Sequence, residues 1–301
     1  MPVREQFHIM AIVDDIDAGQ ALVDRLFDPV VMMPKSWSPF DKRWATISVI
    51  GSDFVLELME PSHADEDAGA PLVKFKARFG AHLHSLSWYV DPTDQRALAA
   101  GLMEHGVRVV DPTSTPITTD RLDELPWTFF THGRDTFGQL EFQVPGLMPD
   151  PRTADDWSDD RWRVDHPLGI QRLDHTTILV RDVDRGTALF ADVLDGVRVH
   201  ASEDDDARRA YVLVGKDTMV ELLSPKQDAS RWGLELAKNG ELPNAFSLLV
   251  RDLDAARRHV ESCGVRVDEP AAASFTTDPS TTFGVPFEFT TARIPGDPRD
   301  A

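Results

Sequence analysis

Phe7-His-Ile-Met-Ala-Ile-Val13, followed by Asp14-Asp-Ile-Asp17, reads as a short apolar strand running into an acidic turn and an amphipathic helix. The same outline returns at His84-Ser-Leu-Ser-Trp-Tyr-Val90 before Asp91-Pro-Thr-Asp94. It returns again at His175-Thr-Thr-Ile-Leu-Val180 before Arg181-Asp-Val-Asp184, and at Ala245-Phe-Ser-Leu-Leu-Val250 before Arg251-Asp-Leu-Asp254. Asp14, Asp15, Asp182 and Asp252 fall where a helix needs an N-cap, so they read as structural. The helices predicted over 95–105 and 254–263 each stop at a glycine, Gly106 and Gly264. A β-rich phrase follows each of these, Val107 to Val110 and Val265 to Val267, closed by Asp111-Pro112 and Glu269-Pro270.

Each copy ends on an apolar strand interrupted by one carboxylate. The odd copies carry Phe54-Val-Leu-Glu57-Leu-Met-Glu-Pro61 and Met219-Val-Glu221-Leu-Leu-Ser-Pro225. The even copies carry Thr136-Phe-Gly-Gln-Leu-Glu141-Phe142 and Thr282-Phe-Gly-Val-Pro-Phe-Glu288-Phe289. Strand, helix, strands and carboxylate strand, repeated four times, predict an α+β chain of four βαβββ modules. We place a first domain at 1–148 (modules 1–80 and 81–148). A linker at 149–167 is rich in Pro, Asp and Arg, and Trp157 and Trp162 pin it to a surface. The second domain is 168–301 (modules 168–240 and 241–301).

This plan resembles the vicinal-oxygen-chelate superfamily, which includes glyoxalase I, methylmalonyl-CoA epimerase, extradiol ring-cleaving dioxygenases and bleomycin-resistance proteins. The phrases around Glu57 and His84 look most like the epimerase branch. The resemblance implies two glyoxalase/bleomycin-resistance-type domains with curved mixed sheets. It also implies one divalent metal ion (Zn, Ni, Co, Mn or Fe) in the first cavity, held by His8, Glu57, His84 and Glu141, with Glu141 or Glu57 as the proton-transferring base. Histidine and carboxylate together suit such ions. Ser85, Trp88, His132 and Arg134 are candidate pocket residues, Arg134 for an anionic group. In the second domain His175, Glu221 and Glu288 keep their places. The fourth position offers only Ala245 with Asn244 beside it, so that site is read as non-functional.

The strand register raises one question. His8 and His175 lie five residues before the strand-end valine, whereas five before Val90 is Ser85. Side chains alternate faces, so His84 points away from the cavity unless a β-bulge near Leu86 restores it. His82 is then the stand-in. His63, His105, His166, His200 and His259 read as surface or packing residues, as does the helix-end Cys263. Phe40, Trp44, Trp88, Trp127 and Phe137 read mainly as core, with a few walling the pocket.

The 301 residues carry a formal charge of -20, which repels nucleic acid and anionic lipid. An anionic ligand needs a local exception to that field. The single cysteine precludes an internal disulfide framework and fits a reducing compartment. Residues 1–10 lack a signal-peptide run, so we expect a cytoplasmic protein with a small-molecule substrate and no nucleic-acid or membrane partner. The resemblance leaves room for a homodimer. No phosphate loop, dinucleotide fingerprint or nucleophile elbow is present. The expected function is a metal-dependent isomerase, epimerase or lyase acting on vicinal oxygens through an enolate. The alternatives are an extradiol-type dioxygenase and a metal-free binding or resistance protein.

Overall fold

The computed structural model describes residues 2–268 and 271–300, so the Glu269-Pro270 turn lies outside the described residues. The first half contains β1 (Val3–Ile12), α1 (Ile16–Phe27), β2 (Val30–Ser38), β3 (Arg43–Val49), β4 (Val55–Pro61), α2 (Pro71–Phe79), β5 (His82–Val90), α3 (Gln95–Glu104), β6 (Val109–Val110), β7 (Pro116–Ile117), β8 (Thr128–Thr131) and β9 (Gln139–Gln143). The second contains β10 (Ile170–Leu179), α4 (Val183–Ala188), β11 (Val197–Glu203), β12 (Ala207–Val214), β13 (Thr218–Pro225), α5 (Arg231–Asn239), β14 (Pro243–Val250), α6 (Leu253–Ser262), β15 (Ser274–Thr276) and β16 (Phe287–Thr290).

The α+β expectation holds: the strands form two mixed sheets, neither a closed barrel. Their orders are β2-β3-β4-β1-β5-β9-β8-β6-β7 and β11-β12-β13-β10-β14-β16-β15. In each sheet the first strands of two modules pair antiparallel at the centre, and each pairs parallel with its own carboxylate strand. The acidic turns do what an N-cap does: Asp15, Asp182 and Asp252 accept backbone N–H bonds at the starts of α1, α4 and α6. Asp14 instead pairs with Lys76. The helices α2 and α5 close the odd modules of the two halves and lie outside the phrases read from the sequence.

One apolar cluster runs through both halves, joining for example Phe54 to Phe246 across a 5.0 Å ring separation. Residues 149–167 pack on the first half. Trp162 is buried and donates to the Phe27 carbonyl at 2.8 Å, and Trp157 donates to Ser52 Oγ. The repeated Thr-Phe-Gly phrase also belongs to the join. Phe137 and Gly138 both have positive φ, and a Cβ on Gly138 would lie 2.4 Å from Pro243 Cδ. Gly284 meets Ala81 in the mirrored contact.

The join has a further reciprocal device, of which only Asp150 and Arg152 fall in the stretch read as linker. Asp217 accepts the Gln6 N–H, and Asp53, its counterpart in the repeat, accepts the Leu173 N–H. Arg152 donates to the carbonyls of Gln6 and Ser52, and Arg299 to those of Leu173 and Asp217. Each arginine is braced by a carboxylate two residues earlier, Asp150 or Asp297. Burial pushes Asp53 up from 3.8 to about 7, with the Asp217 charge adding to it, against the Leu173 N–H and Arg299; Asp159 also raises it. Burial likewise pushes Asp217 up to about 6.

A carboxyl whose folded pKa is raised loses stability as pH climbs from its unfolded value through its folded one. Asp53 therefore disfavours the fold progressively from pH about 4 to about 7. We expect Asp53→Asn, which keeps an acceptor for Leu173, to raise the unfolding free energy at pH 8 by roughly 1–3 kcal/mol and to change it little at pH 4. Urea titrations at the two pH values check this. Equal effects at both would mean that the charge is not the cause.

Candidate active site

The parallel pairing of β1 with β4 and of β5 with β9 brings two carboxylates to the sheet centre on the face away from α1 and α3, the face on which α2 packs. His8 stands between them. Its Nε2 lies 3.1 Å from Glu141 Oε2 and 3.4 Å from Glu57 Oε2. The His8 ring stacks on Phe7 at 4.0 Å, and its Nδ1 is a buried nitrogen with no hydrogen-bond partner. All three residues are buried, and they line a cavity of about 280 Å³ with Arg43, His84 and Met10 among its walls.

The register question resolves through a bulge. Met10 pairs with Ser85 but Ala11 pairs with Leu83, so β5 carries one extra residue at His84. Leu83 and Leu86 both enter the apolar core, His84 lines the cavity, and Ser85 lies behind it against Met10. The bulge lies at His84 rather than at Leu86. His84 does not join the other donors, however: its Nδ1 lies 2.7 Å from Ser85 Oγ, and its ring meets Phe75 edge-on at 4.7 Å. Burial, then the nearby Arg43 charge, pushes the His84 pKa down to about 4, so the imidazole is neutral at pH 7. Ser85 is fully buried and donates to Met10 Sδ.

Trp88 requires a correction. It alternates with Ser87 onto the core face, stacks on Phe142 and donates to Thr218 Oγ1 at 2.9 Å, so it holds the two halves together and walls no pocket. Unlike Trp88, which is core, Phe40, Trp44 and Trp127 are exposed, and Phe40 lies at the cavity mouth. Phe137 is buried as read. His132 and Arg134 lie outside the cavity, on a neighbouring groove.

Arg43 is the residue that the sequence reading missed. It opens β3, on the face that carries Ile47 opposite Glu57, and its Nη1 donates to Glu57 Oε1. Burial alone would raise the Glu57 pKa; the charges of Arg43 and His8, with the Arg43 hydrogen bond, more than offset it and hold the carboxyl below its ordinary value. The sequence signal was slight: an arginine at the edge of an otherwise apolar strand.

The residues fit a divalent ion in kind and in two spacings. Donors held about 2.1 Å from a common ion lie about 3.0–3.4 Å apart, which matches the two distances from His8. Nε2 is aimed at both carboxylates, and Nδ1 has no partner. The fourth donor does not converge. Among the described residues no group of three or more His, Cys, Asp or Glu side chains is placed to hold an ion as it stands.

The second half repeats the backbone with different chemistry. Thr177 pairs with Ala245 and Ile178 with Pro243, so the same bulge falls at Asn244, the counterpart of His84. Glu288 faces Ser247 as Glu141 faces Ser87, and the extra residue counted from Gly284 lies in the turn before β16. His175 Nε2 lies 3.5 Å from Glu221 and 3.8 Å from Glu288, while its Nδ1 lies 3.0 Å from Asp174. Thr177, Tyr211 and Arg209 also engage Glu221. Burial alone would lower the His175 pKa, but Glu221 and Asp174 raise it to about 10, so a proton occupies this cluster at pH 7. In the first half Phe7 stands at the place of Asp174 and Ile47 at that of Tyr211, and His8 has no second acid on its far nitrogen.

Two family models match the chain. One for the glyoxalase-like domain matches residues 8–194, and one for the glyoxalase/bleomycin resistance protein/dioxygenase superfamily matches residues 174–282. The chain belongs to the glyoxalase-like family within that superfamily. Its fold is similar to a mutant 4-hydroxymandelate synthase from Streptomyces coelicolor, at 13% identity over 96% of this chain and 92% of that one, with a TM-score of 0.69. It is similar also to the 2,3-dioxygenase LapB from Pseudomonas sp. KL28, at 12% identity over 99% and 96%, with a TM-score of 0.60. Methylmalonyl-CoA epimerase from Mycobacterium tuberculosis matches 40% of this chain and 87% of its own at 28% identity and a TM-score of 0.38. No curated protein sequence matches the chain. No helix among the described residues is long and apolar enough to cross a membrane.

Proposed function

We propose that the first half is a divalent-metal-dependent isomerase, epimerase or lyase acting on a small carbon acid with neighbouring oxygens. The observation that carries this reading is the buried Glu57–His8–Glu141 arrangement in a cavity open to solutes. Two carboxylates and an imidazole inside an apolar wall are costly to bury without a shared partner. A bound divalent ion would polarise two neighbouring substrate oxygens and ease loss of the adjacent carbon-bound proton. His8, Glu57 and Glu141 would hold it, with His84 reaching it on release from Ser85. Arg43 keeps Glu57 ionised and oriented. Glu141, which Arg43 does not clamp, is the group free to take and return a proton. We take 1–148 as the working domain and 168–301 as the one that supports it, because Asn244 there stands at the place of His84.

The test is metal binding. Co²⁺ titration by absorbance should show one ion per chain, and His8→Ala should weaken it by at least about 100-fold. His175→Ala should leave the stoichiometry unchanged. If the parent binds no Co²⁺, Zn²⁺, Ni²⁺, Mn²⁺ or Fe²⁺, the metal-free binding reading replaces this one. The two solved structures that match nearly the whole chain bear on the dioxygenase alternative. Oxygen uptake on catechols by Fe²⁺-loaded protein would favour it, with His8, His84 and Glu141 as the ligand set.

A further inference from the structure

A groove of about 630 Å³ adjoins the cavity and shares Pro71, His84 and Gln139 with it. Its walls carry Lys74 and Arg78, one turn apart on α2, and Arg134 on the turn before β9. In a chain of charge -20 these three cations form no ion pair among the described residues, although Lys76 on the same helix pairs with Asp14. Glu241 is the one carboxylate on the groove. It is already engaged by the Arg181 N–H at 2.9 Å and by Arg185 at 3.4 Å. The turn that presents Arg134 is fixed from below: His132 Nδ1 lies 3.3 Å from the Arg134 N–H and 3.0 Å from Arg108 Nη2, and Arg108 clamps Asp135. Helix α2 has no buried residue, and only Leu72 and Phe75 pack it on the sheet, against Met10, Ile12 and Met59. Such a helix is placed to present charge rather than to build core.

We propose that the groove binds an anionic group, a carboxylate or a phosphate, at the far end of a substrate whose vicinal oxygens occupy the cavity beside His8 and Glu141. This rests on the functional reading above and narrows its substrate class to elongated acids or phosphate esters. Three unpaired cations on two elements give a cradle for a multiply charged oxyanion. His84 lies on the wall that the two compartments share. The strongly negative field elsewhere makes this patch the local exception that an anionic ligand needs.

Calorimetric titration of the full chain with inorganic tripolyphosphate and, separately, with glutarate gives the first readout. It distinguishes phosphate from carboxylate and does not depend on activity. Arg78→Gln/Arg134→Gln should weaken binding of the recognised anion at least about tenfold, while Arg257→Gln, far from the groove, should not. Co²⁺ binding should be unchanged in both variants, showing that the fold and the first site are intact. The second readout compares proton exchange on paired carbon acids with and without a distal anion. A preference for the charged member that the double variant abolishes supports the assignment. Anion binding that survives the double variant, or no preference in an active parent, overturns it. Anion binding lost in the variant while the parent exchanges no carbon-bound proton sinks the catalytic reading and leaves the groove standing.

Discussion

With Co²⁺ saturating, Glu141→Gln protein should exchange the carbon-bound proton of a responsive substrate about 10²- to 10⁴-fold more slowly than the parent. The measurement is proton NMR in deuterium oxide on α-hydroxy ketones and 2-substituted malonyl thioesters. Glutamine keeps the shape and one acceptor oxygen but cannot take a proton at pH 7. The comparison that matters is with Glu57→Gln. Glu57 is held by Arg43 and sits below its ordinary pKa, so at neutral pH it is a fixed charge, poorly suited to cycle a proton. Glu141 has His8 as its neighbour and no arginine clamp. Loss of exchange with metal still bound assigns the base to Glu141. Exchange at the parent's rate would remove Glu141 from that role, and loss only through failure to bind Co²⁺ would make it a ligand alone.

How much of this was readable in the chain depends on which physical rule set each feature. The fourfold module was legible because strand alternation, acidic caps and terminal glycines are local rules, each written four times. The carboxylates stood out because they interrupt apolar strands. The bulge at His84 was legible only as a need: counting from Val90 showed a one-residue excess but not which residue absorbs it, since that depends on the β1 partner. Arg43 escaped because its meaning comes from the β3–β4 register, which a sequence does not display. Trp88 was misplaced for a related reason: one face of β5 covers the cavity and the other the join between halves, and both are apolar. Helix α2 was missed because it lies outside the repeated phrases, although Leu72, Phe75 and Phe79 recur along it at helical spacing.

The repeat of Asp150-Pro-Arg152 at Asp297-Pro-Arg299 was visible and went unread, since its first copy lay in a stretch that looked like linker. Arg299→Met should cost about 3–5 kcal/mol of unfolding free energy in urea, with a matching fall in Tm. Asp297 is 0% exposed at its side chain and is held by Arg299 and Arg172. The Arg299 guanidinium also donates to the carbonyls of Leu173, Asp174 and Asp217. Methionine fills a similar length but satisfies none of them, leaving several buried acceptors and weakening the brace on a buried charge. Arg299→Lys, which keeps the charge but loses the fork, should fall between parent and Met. A Met variant within about 1 kcal/mol of the parent would show that water replaces the arginine and that its bonds do little to hold the second half. The same physics ties the join to chemistry on one side only. Arg152 grips the carbonyl of Gln6, two residues before His8, whereas Arg299 grips the strand of the protonated His175 cluster. Arg152→Met should therefore weaken Co²⁺ binding as well as stability. Arg299→Met, measured where it is still folded, should leave Co²⁺ affinity unchanged, because the strand it releases carries no ligand of the first cavity.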